Sequence, residues 1–288
     1  MSIHPLACVS GEAQIGRNVS IGPFAVIEAD VVLGDGCQVA SQAVIKSGTR
    51  LGSGNLVHEG AVLGGLPQHV HKPEHPGLLI VGAGNTFREH VTLHRAMHDG
   101  AATVIGDHNY LMAGAHVAHD CRLGNHIIFA NDAVLAGHVT VGDRAFFSQG
   151  VGVHQHCRVG GLAMVGGHAR IMQDVPPFVT VDGHTGCVVG LNLVGLRRSG
   201  LKASDVAQLK AAYRILYRST APFAERLEEL KQSFTAGPAI EFCEFLYGVG
   251  KRGFTHERRA PPGATLKLLP AADESAAEAV PERIAKAG

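Results

Sequence analysis

Counted from Ile3, every sixth residue is apolar, almost without exception, as far as Ile171. The series opens Ile3, Val9, Ile15, Ile21, Ile27, Leu33 and closes Val153, Val159, Val165, Ile171. A chain that is 45% hydrophobic would fill fewer than half of such slots by chance. The interruptions are His69, His75 and Asp99, which fall in two stretches that read as inserted loops. A short fixed period held over more than half of a chain means a solenoid. The slot four residues after each apolar one is mostly small, as at Ala7, Ala13, Ala25, Cys37, Ala43 and Ala61. It precedes the next apolar slot by two, and residues two apart share one face of a strand. Each hexad therefore turns one small and one large side chain inward, and turn formers such as Gly34-Asp35-Gly36 fill its middle. Three hexads close a triangular coil, and successive coils pair as parallel strands about 4.8 Å apart. The 3.6-residue period of an amphipathic helix and the turn spacing of a hairpin sheet both fail to match. Periodicity leaves the hand of the coil open.

The repeat predicts a first domain over residues 1–180, with loops near 65–80 and 95–104, ended by Pro176-Pro177. A small helical domain is expected over 181–254. Its first helix has Ser204-Asp205 as N-cap and Val206, Leu209, Tyr213 and Leu216 on one face. Pro222 opens a second helix, and a third runs from about Ile240 to Leu246. Residues 255–288 are rich in Ala, Pro, Glu and Lys and read as a disordered tail. Lys plus Arg equals Asp plus Glu, at 25 each, so no global field draws the chain to nucleic acid or to a membrane surface. Neither a signal peptide nor an apolar run long enough to span a bilayer is present. The six cysteines suggest no disulfide framework: Cys121 and Cys157 share the inward slot but stand two coils apart, about 10 Å, too far to bridge. A reduced, cytoplasmic protein is the simpler expectation.

Eighteen histidines are many for such a chain. Coil arithmetic stacks His119, Gly137 and Gln155 in one corner column, with His138 and His154 beside it and His116 three residues before His119. His90, His108 and His126 share the same spacing, so stacking alone is a weak signal. Neutral imidazole is the usual general base, and a corner glycine can offer a bare N–H to a developing oxyanion. These parts suit acyl transfer to a hydroxyl. Three histidines from adjacent coils would equally suit zinc, although no carboxylate-rich surround is evident.

The stretches Ala115-His116-Val117-Ala118-His119-Asp120-Cys121, Leu135-Ala136-Gly137-His138-Val139 and Val153-His154-Gln155 carry a resemblance. With Met164-Val165-Gly166-Gly167, Gln173-Asp174-Val175-Pro176-Pro177 and Gly190-Leu191-Asn192, they are similar to the UDP-N-acetylglucosamine O-acyltransferases of lipid A synthesis. These belong to the hexapeptide-repeat acyltransferases. The resemblance implies a left-handed parallel β-helix followed by helices, in a cytoplasmic homotrimer with clefts between subunits. An acyl carrier protein would deliver a 3-hydroxyacyl thioester, with UDP-N-acetylglucosamine as acceptor and no cofactor or metal. It implies His119 as general base, Asp120 orienting it, and the Gly137 N–H as oxyanion donor. His116, His138, His154, Gln155, Gln68, His69 and His71 would bind substrate, Asn192 and Arg198 would contact the nucleotide, and Gly167 would border the acyl chain.

The chain also departs from that family. His69 and His71 stand where an Asp and a Lys are usual, Val194 replaces a Glu, and Ser199 replaces an Arg. The base is retained while the acceptor shell is altered. A sibling transferase with another nucleotide-sugar acceptor, a metal-dependent hydratase on the same fold and a non-catalytic β-helix binding protein are the competing readings.

Overall fold

The computed structural model describes residues 1–248 and 250–257. The tail expected from about residue 255 therefore lies almost wholly outside the described residues. Two-residue strands recur at each hexad and pair in parallel with the strand one coil on, as Ser20-Ile21 does with Gln38-Val39. They build three sheets that run the length of a prism. The first runs from Ser2–Ile3 through Met164–Val165 and on to Val179–Asp182 and Cys187–Leu191, the second from Cys8–Val9 to Arg170–Ile171, and the third from Gln14–Ile15 to Arg158–Val159.

The large inward slots form the core. Phe87, Phe129 and Phe147 are fully buried, and the Phe129 and Phe147 rings sit 4.6 Å apart. Burying one such side chain stabilises by about 1.5–3 kcal/mol. The small slot is less uniform than its Ala and Cys members suggest. Asn55, Asn85 and Asn109 occupy it in successive coils and are buried. The Asn55 Oδ1 accepts from the Asn85 N–H at 3.0 Å, the Asn85 Oδ1 from the Asn109 N–H at 2.8 Å, and the Asn109 Oδ1 from the Ile127 N–H at 2.7 Å. Each amide caps the next coil, which is why a polar column is tolerated inside the prism.

The corners account for much of the histidine surplus. The fourth residue of the hexad, three after the apolar slot, takes a left-handed backbone in coil after coil, as at Asn18, Asp30, Asp120 and Asp132. Asn, Asp and His are the non-glycine residues that tolerate this region best. His90, His108, His126, His138, His156 and His168 all sit there, with φ between 55° and 64°. Asp120 and His138 thus share a conformation found at corners throughout the coil, and it stores no special strain at one site.

The two insertions change the column arithmetic. Leu56 pairs with Thr86 and Thr86 with Tyr110, so these coils exceed the regular length by the segments 66–77 and 95–100. His108 and His126 do stack, with rings 5.2 Å apart and nearly parallel. His90 belongs to a different corner: the segment 95–100 intervenes, and Gly114, whose N–H donates to the Glu89 carbonyl, is its counterpart one coil on. The expected His90/His108/His126 column is corrected to a pair. His119, Gly137 and Gln155 lie beyond both insertions, and the pairing of His116 with Val134 and of Val134 with Gly152 keeps them in register.

Pro176-Pro177 does not end the first sheet. Val179–Asp182 still pairs in parallel with Met164-Val165, and Cys187–Leu191 then turns back antiparallel, so the boundary expected near residue 180 falls within a strand. Four helices follow: α1 (Leu193–Arg198), α2 (Ala203–Arg218), α3 (Phe223–Ser233) and α4 (Pro238–Tyr247). The N-cap of α2 is Lys202, in place of the expected Ser204-Asp205, and the Asp205 carboxylate accepts from the Lys202 N–H at 3.2 Å. After α4 the chain returns to the prism, where Phe254 bridges Asp174 and Glu257 bridges Val188. Asp174, fully buried, accepts from both the Arg158 N–H and the Arg158 Nε at 2.8 Å. The Arg158 guanidinium lies 4.4 Å from the Phe245 ring. All six cysteines are free thiols. Among the described residues no helix is long and apolar enough to cross a membrane.

Candidate active site

His119 is the third residue of its hexad and Asp120 the left-handed corner that follows, an arrangement that folds the two side chains together. His119 Nδ1 lies 2.7 Å from Asp120 Oδ2. With the carboxylate accepting from Nδ1–H, the lone pair of the imidazole is held on Nε2. Asp120 is itself held: its N–H donates to the buried Thr103 hydroxyl at 2.8 Å, and its carboxylate lies 3.3 Å from the Met97 N–H. Met97 belongs to the second insertion, so that interruption of the hexad supports the dyad. His119 is only 8% exposed, yet it lines a cleft of about 520 Å³ on the second face.

The same cleft is lined by Gln68, His69, His116, Gly137, His154 and Gln155. The first insertion brings His69 in, with its ring 5.9 Å from that of His119. His71 stands behind His69, 5.6 Å between rings. His138 flanks the dyad, its ring edge-on to His119 at 5.3 Å and its Nε2 3.8 Å from Asp120 Oδ2. His119, Asp120 and His138 are spaced so that they could hold a metal ion.

Gly137 stacks directly under the base. A Cβ there would stand 2.7 Å from His119 Cε1 and 2.9 Å from Nε2, so any side chain would displace the ring. At the corner joining the third face to the first, the equivalent N–H groups are capped by carboxylates and amides one coil on: Arg17 by Asp35, Asp107 by Asn125, Asn125 by Asp143. At the His119 corner, among the described residues, the Gly137 N–H has no such cap, and Gly137 lines the cleft.

Sequence reasoning missed the support behind His116. His94 is buried, its Nδ1 lies 2.6 Å from the Leu66 carbonyl at the root of the first insertion, and its ring is 5.1 Å from that of His116. Thr92 Oγ1 meets His116 Nδ1 at 2.8 Å. Pairing of Thr92 with His116 across the second long coil places these groups, and no motif announces it. Burial first, and then neighbouring His94, lowers the His116 pKa to about 4. Its folded value lies below its unfolded one, so its neutral form contributes stability that is complete above about pH 6.5 and lost as pH falls towards about 4. The thermal midpoint of His116→Gln is therefore expected to fall less on acidification through that window than the wild-type midpoint. Parallel wild-type and variant curves would show that His116 does not carry this acid sensitivity.

Two groups of expected site residues are not brought together with the rest. Asn192 and Arg198 line a separate cleft of about 580 Å³ beside His126 and Arg144 on the first face. The departures Val194 and Ser199 line this cleft too. The Asn192 side chain already accepts from the Gly195 N–H at 2.9 Å as the N-cap of α1 and donates to the Leu162 carbonyl at 2.9 Å. Gly167 sits at the exposed corner between the first and second faces, where an added Cβ would meet nothing nearer than the Gln149 carbonyl at 3.7 Å.

Residues 174–255 match a family described as UDP-N-acetylglucosamine O-acyltransferase, domain 2, and residues 12–47 and 102–137 match bacterial transferase hexapeptide repeats. The chain is 47% identical over 240 residues to the acyl-[acyl-carrier-protein]–UDP-N-acetylglucosamine O-acyltransferase of Halorhodospira halophila, covering 83% of this chain and 93% of that protein. The Verminephrobacter eiseniae protein of the same name is 50% identical over 218 residues, 75% of this chain and 83% of that one. The crystal structure of the UDP-N-acetylglucosamine acyltransferase LpxA from Bacteroides fragilis superposes with a TM-score of 0.85 at 36% identity, over 88% of this chain and 99% of that one. The coil shared with such structures is left-handed. The chain belongs to the UDP-N-acetylglucosamine O-acyltransferase family, built on a left-handed parallel β-helix of hexapeptide repeats.

Proposed function

We propose that this protein transfers a 3-hydroxyacyl chain from acyl carrier protein to the 3-hydroxyl of UDP-N-acetylglucosamine, in the cytoplasm, as a step of lipid A synthesis. The observation that carries the chemistry is the 2.7 Å contact between His119 Nδ1 and Asp120 at the floor of the cleft. In this reading His119 Nε2 takes the proton of the sugar hydroxyl as its oxygen attacks the thioester carbonyl. The tetrahedral oxyanion receives the Gly137 N–H. Collapse breaks the carbon–sulfur bond, and the leaving thiolate recovers the proton from His119, so the base ends neutral. His116, His138, His154, Gln155, Gln68, His69 and His71 position the acceptor. The exposed Val134 and Met172 side chains line the same cleft and guide the acyl chain towards the open corner at Gly167.

The separation of the two clefts supports a homotrimer. Asn192 and Arg198 stand on a different face from His119, and reach its cleft only from a neighbouring copy. Incubation with 3-hydroxyacyl carrier protein and UDP-N-acetylglucosamine is expected to yield O-acylated sugar nucleotide by mass spectrometry. Absence of product at every pH between about 6 and 8.5, with product from another UDP sugar, would transfer the reading to that acceptor. Co-expression of His119→Ala with Arg198→Ala chains is expected to restore activity above that of either variant alone. No recovery would place the whole site within one chain.

A further inference from the structure

Two imidazoles converge on one carboxylate beside the cleft. His119 Nδ1 lies 2.7 Å from Asp120 Oδ2, and His138 Nε2 lies 3.8 Å from the same oxygen. One ligand atom of each residue falls within 4.8 Å of the other two. Four-coordinate zinc holds nitrogen and carboxylate ligands at about 2.0–2.2 Å, which sets neighbouring ligand atoms about 3.3 Å apart. The observed 2.7 and 3.8 Å lie on either side of that spacing, so small side-chain movements admit an ion. Magnesium and calcium prefer oxygen ligands throughout, so a set with two imidazoles selects a transition ion such as zinc. The His138 side chain is 43% exposed, against 10% for His119 and 13% for Asp120, so an ion enters from the His138 side.

The surroundings keep this carboxylate available. Among the described residues its oxygens are bonded by the His119 ring and the Met97 N–H, and by no lysine or arginine. A backbone donor behind a ligating carboxylate is a usual support of a metal site. The other such cluster among the described residues, His58 with Glu59 and Glu89, differs on this point. Both oxygens of Glu89 are taken by the Arg88 guanidinium, at 3.1 and 2.8 Å. There a fixed cation already holds the carboxylate that an ion would need.

We propose that His119, Asp120 and His138 form an inhibitory zinc site, in which the ion takes the place of the Nδ1 proton of the dyad. The inhibition rests on the reading of His119 as the base, whereas the site itself does not. Zinc accepts the Nδ1 lone pair, and the single proton of the neutral ring passes through solvent to Nε2. Nε2 then has no lone pair for the proton of the sugar hydroxyl, and the base is off until the ion leaves. His138 Nε2 and an Asp120 oxygen complete three protein ligands and leave a fourth position to water. The ion competes with proton transfer here and is no cofactor for it.

The decisive measurement is a titration of metal-stripped, full-length protein with zinc against a chromophoric chelator, with thermal midpoints read beside it. Wild type is expected to bind one zinc per chain and to melt higher with it, because an ion that binds the folded state stabilises that state. Asp120→Asn and His138→Asn are expected to bind zinc at least about ten-fold more weakly, since disturbing even the support of a ligand costs that much. Asparagine is chosen at 138 because it tolerates the left-handed backbone there, at φ 62°. His156→Asn is the control: it removes a ring stacked 4.6 Å from that of His138 that gives no atom to the cluster, and its zinc affinity should match wild type. No tight site in wild type, or equal affinity in wild type and all three variants, would overturn the inference. In turnover, zinc is expected to abolish product formation and a chelator to restore it. Activation by zinc would overturn the inhibitory role. Zinc bound at this site with turnover unchanged would instead remove His119 as the base and leave the metal site standing. Binding is read without turnover, so a protein that makes no product still tests the site.

Discussion

His119→Ala is expected to lower kcat by about two to four orders of magnitude, with the thermal midpoint nearly unchanged. The side chain is buried against the cleft but among the described residues makes one hydrogen bond, to Asp120, so its loss costs chemistry more than folding. A base acts only as the hydroxyl proton departs, so the loss belongs in kcat, with both KM values close to wild type. Asp120→Asn separates orientation from proton transfer. The amide keeps the size of the carboxylate but offers an NH₂ to His119 Nδ1. It therefore favours the tautomer whose proton sits on Nε2, where the lone pair is needed. A large fall in kcat is expected again, and the combined variant should lose little beyond either alone, because the two residues act as one unit. If His119→Ala kept a tenth of wild-type kcat, another group would be the base. His138, which shares Asp120, would then be the next to replace.

The largest stability effect is expected at the other end of the prism. Asp174→Ala should lower stability by about 3–5 kcal/mol. Asp174 is fully buried and accepts two hydrogen bonds from Arg158, whose side chain is 25% exposed, so removal strands a largely buried guanidinium and an uncapped N–H. The main chain of Asp174 also bonds to Gly253 and Thr255, which ties the segment after α4 to the last coil. Gly250 passes so close that a Cβ would collide with the Asp174 carboxylate. The Arg17–Asp35 pair provides the contrast. It is well formed but 88% and 46% exposed, so water screens it and Arg17→Ala is expected to move the denaturant midpoint far less than Asp174→Ala. Denaturant midpoints for the two variants, at equal slope, test the comparison. Equal losses would mean that Asp174 is no more than a surface partner.

The hexad was legible because a strand alternates faces with a period of two and a coil repeats after three hexads. That arithmetic reached the prism, the inward slots and the column of His119, Gly137 and Gln155. It failed where register broke. His90 falls at the wrong corner by sequence count because the count cannot tell inserted residues from regular ones, whereas the strand register that sets Thr86 opposite Tyr110 resets it. Asn55, Asn85 and Asn109 were invisible for another reason: a buried amide looks like a violation of the pattern until its partner one coil on is seen. The helix start at Lys202 moved by two residues because Asp205 bonds back to the main chain from within the helix.

The candidate site divides along the same line. The residue types that do the chemistry, and their stacking across adjacent coils, belong to the linear repeat, since neighbours in a solenoid are fixed by spacing alone. What surrounds them does not. The insertions place His69 and Met97 against the dyad, the pairing of Thr92 with His116 brings His94 beside His116, and the return of the chain after α4 brings Arg252 to the Gln155 carbonyl at 3.0 Å. The separation of Asn192 and Arg198 from His119 is likewise a property of the prism's faces. Contacts within a coil repeat are local and periodic, so the amino-acid sequence determined them unaided. Contacts made by insertions and by a returning terminus depend on where a long segment lands, and only the tertiary structure decided those.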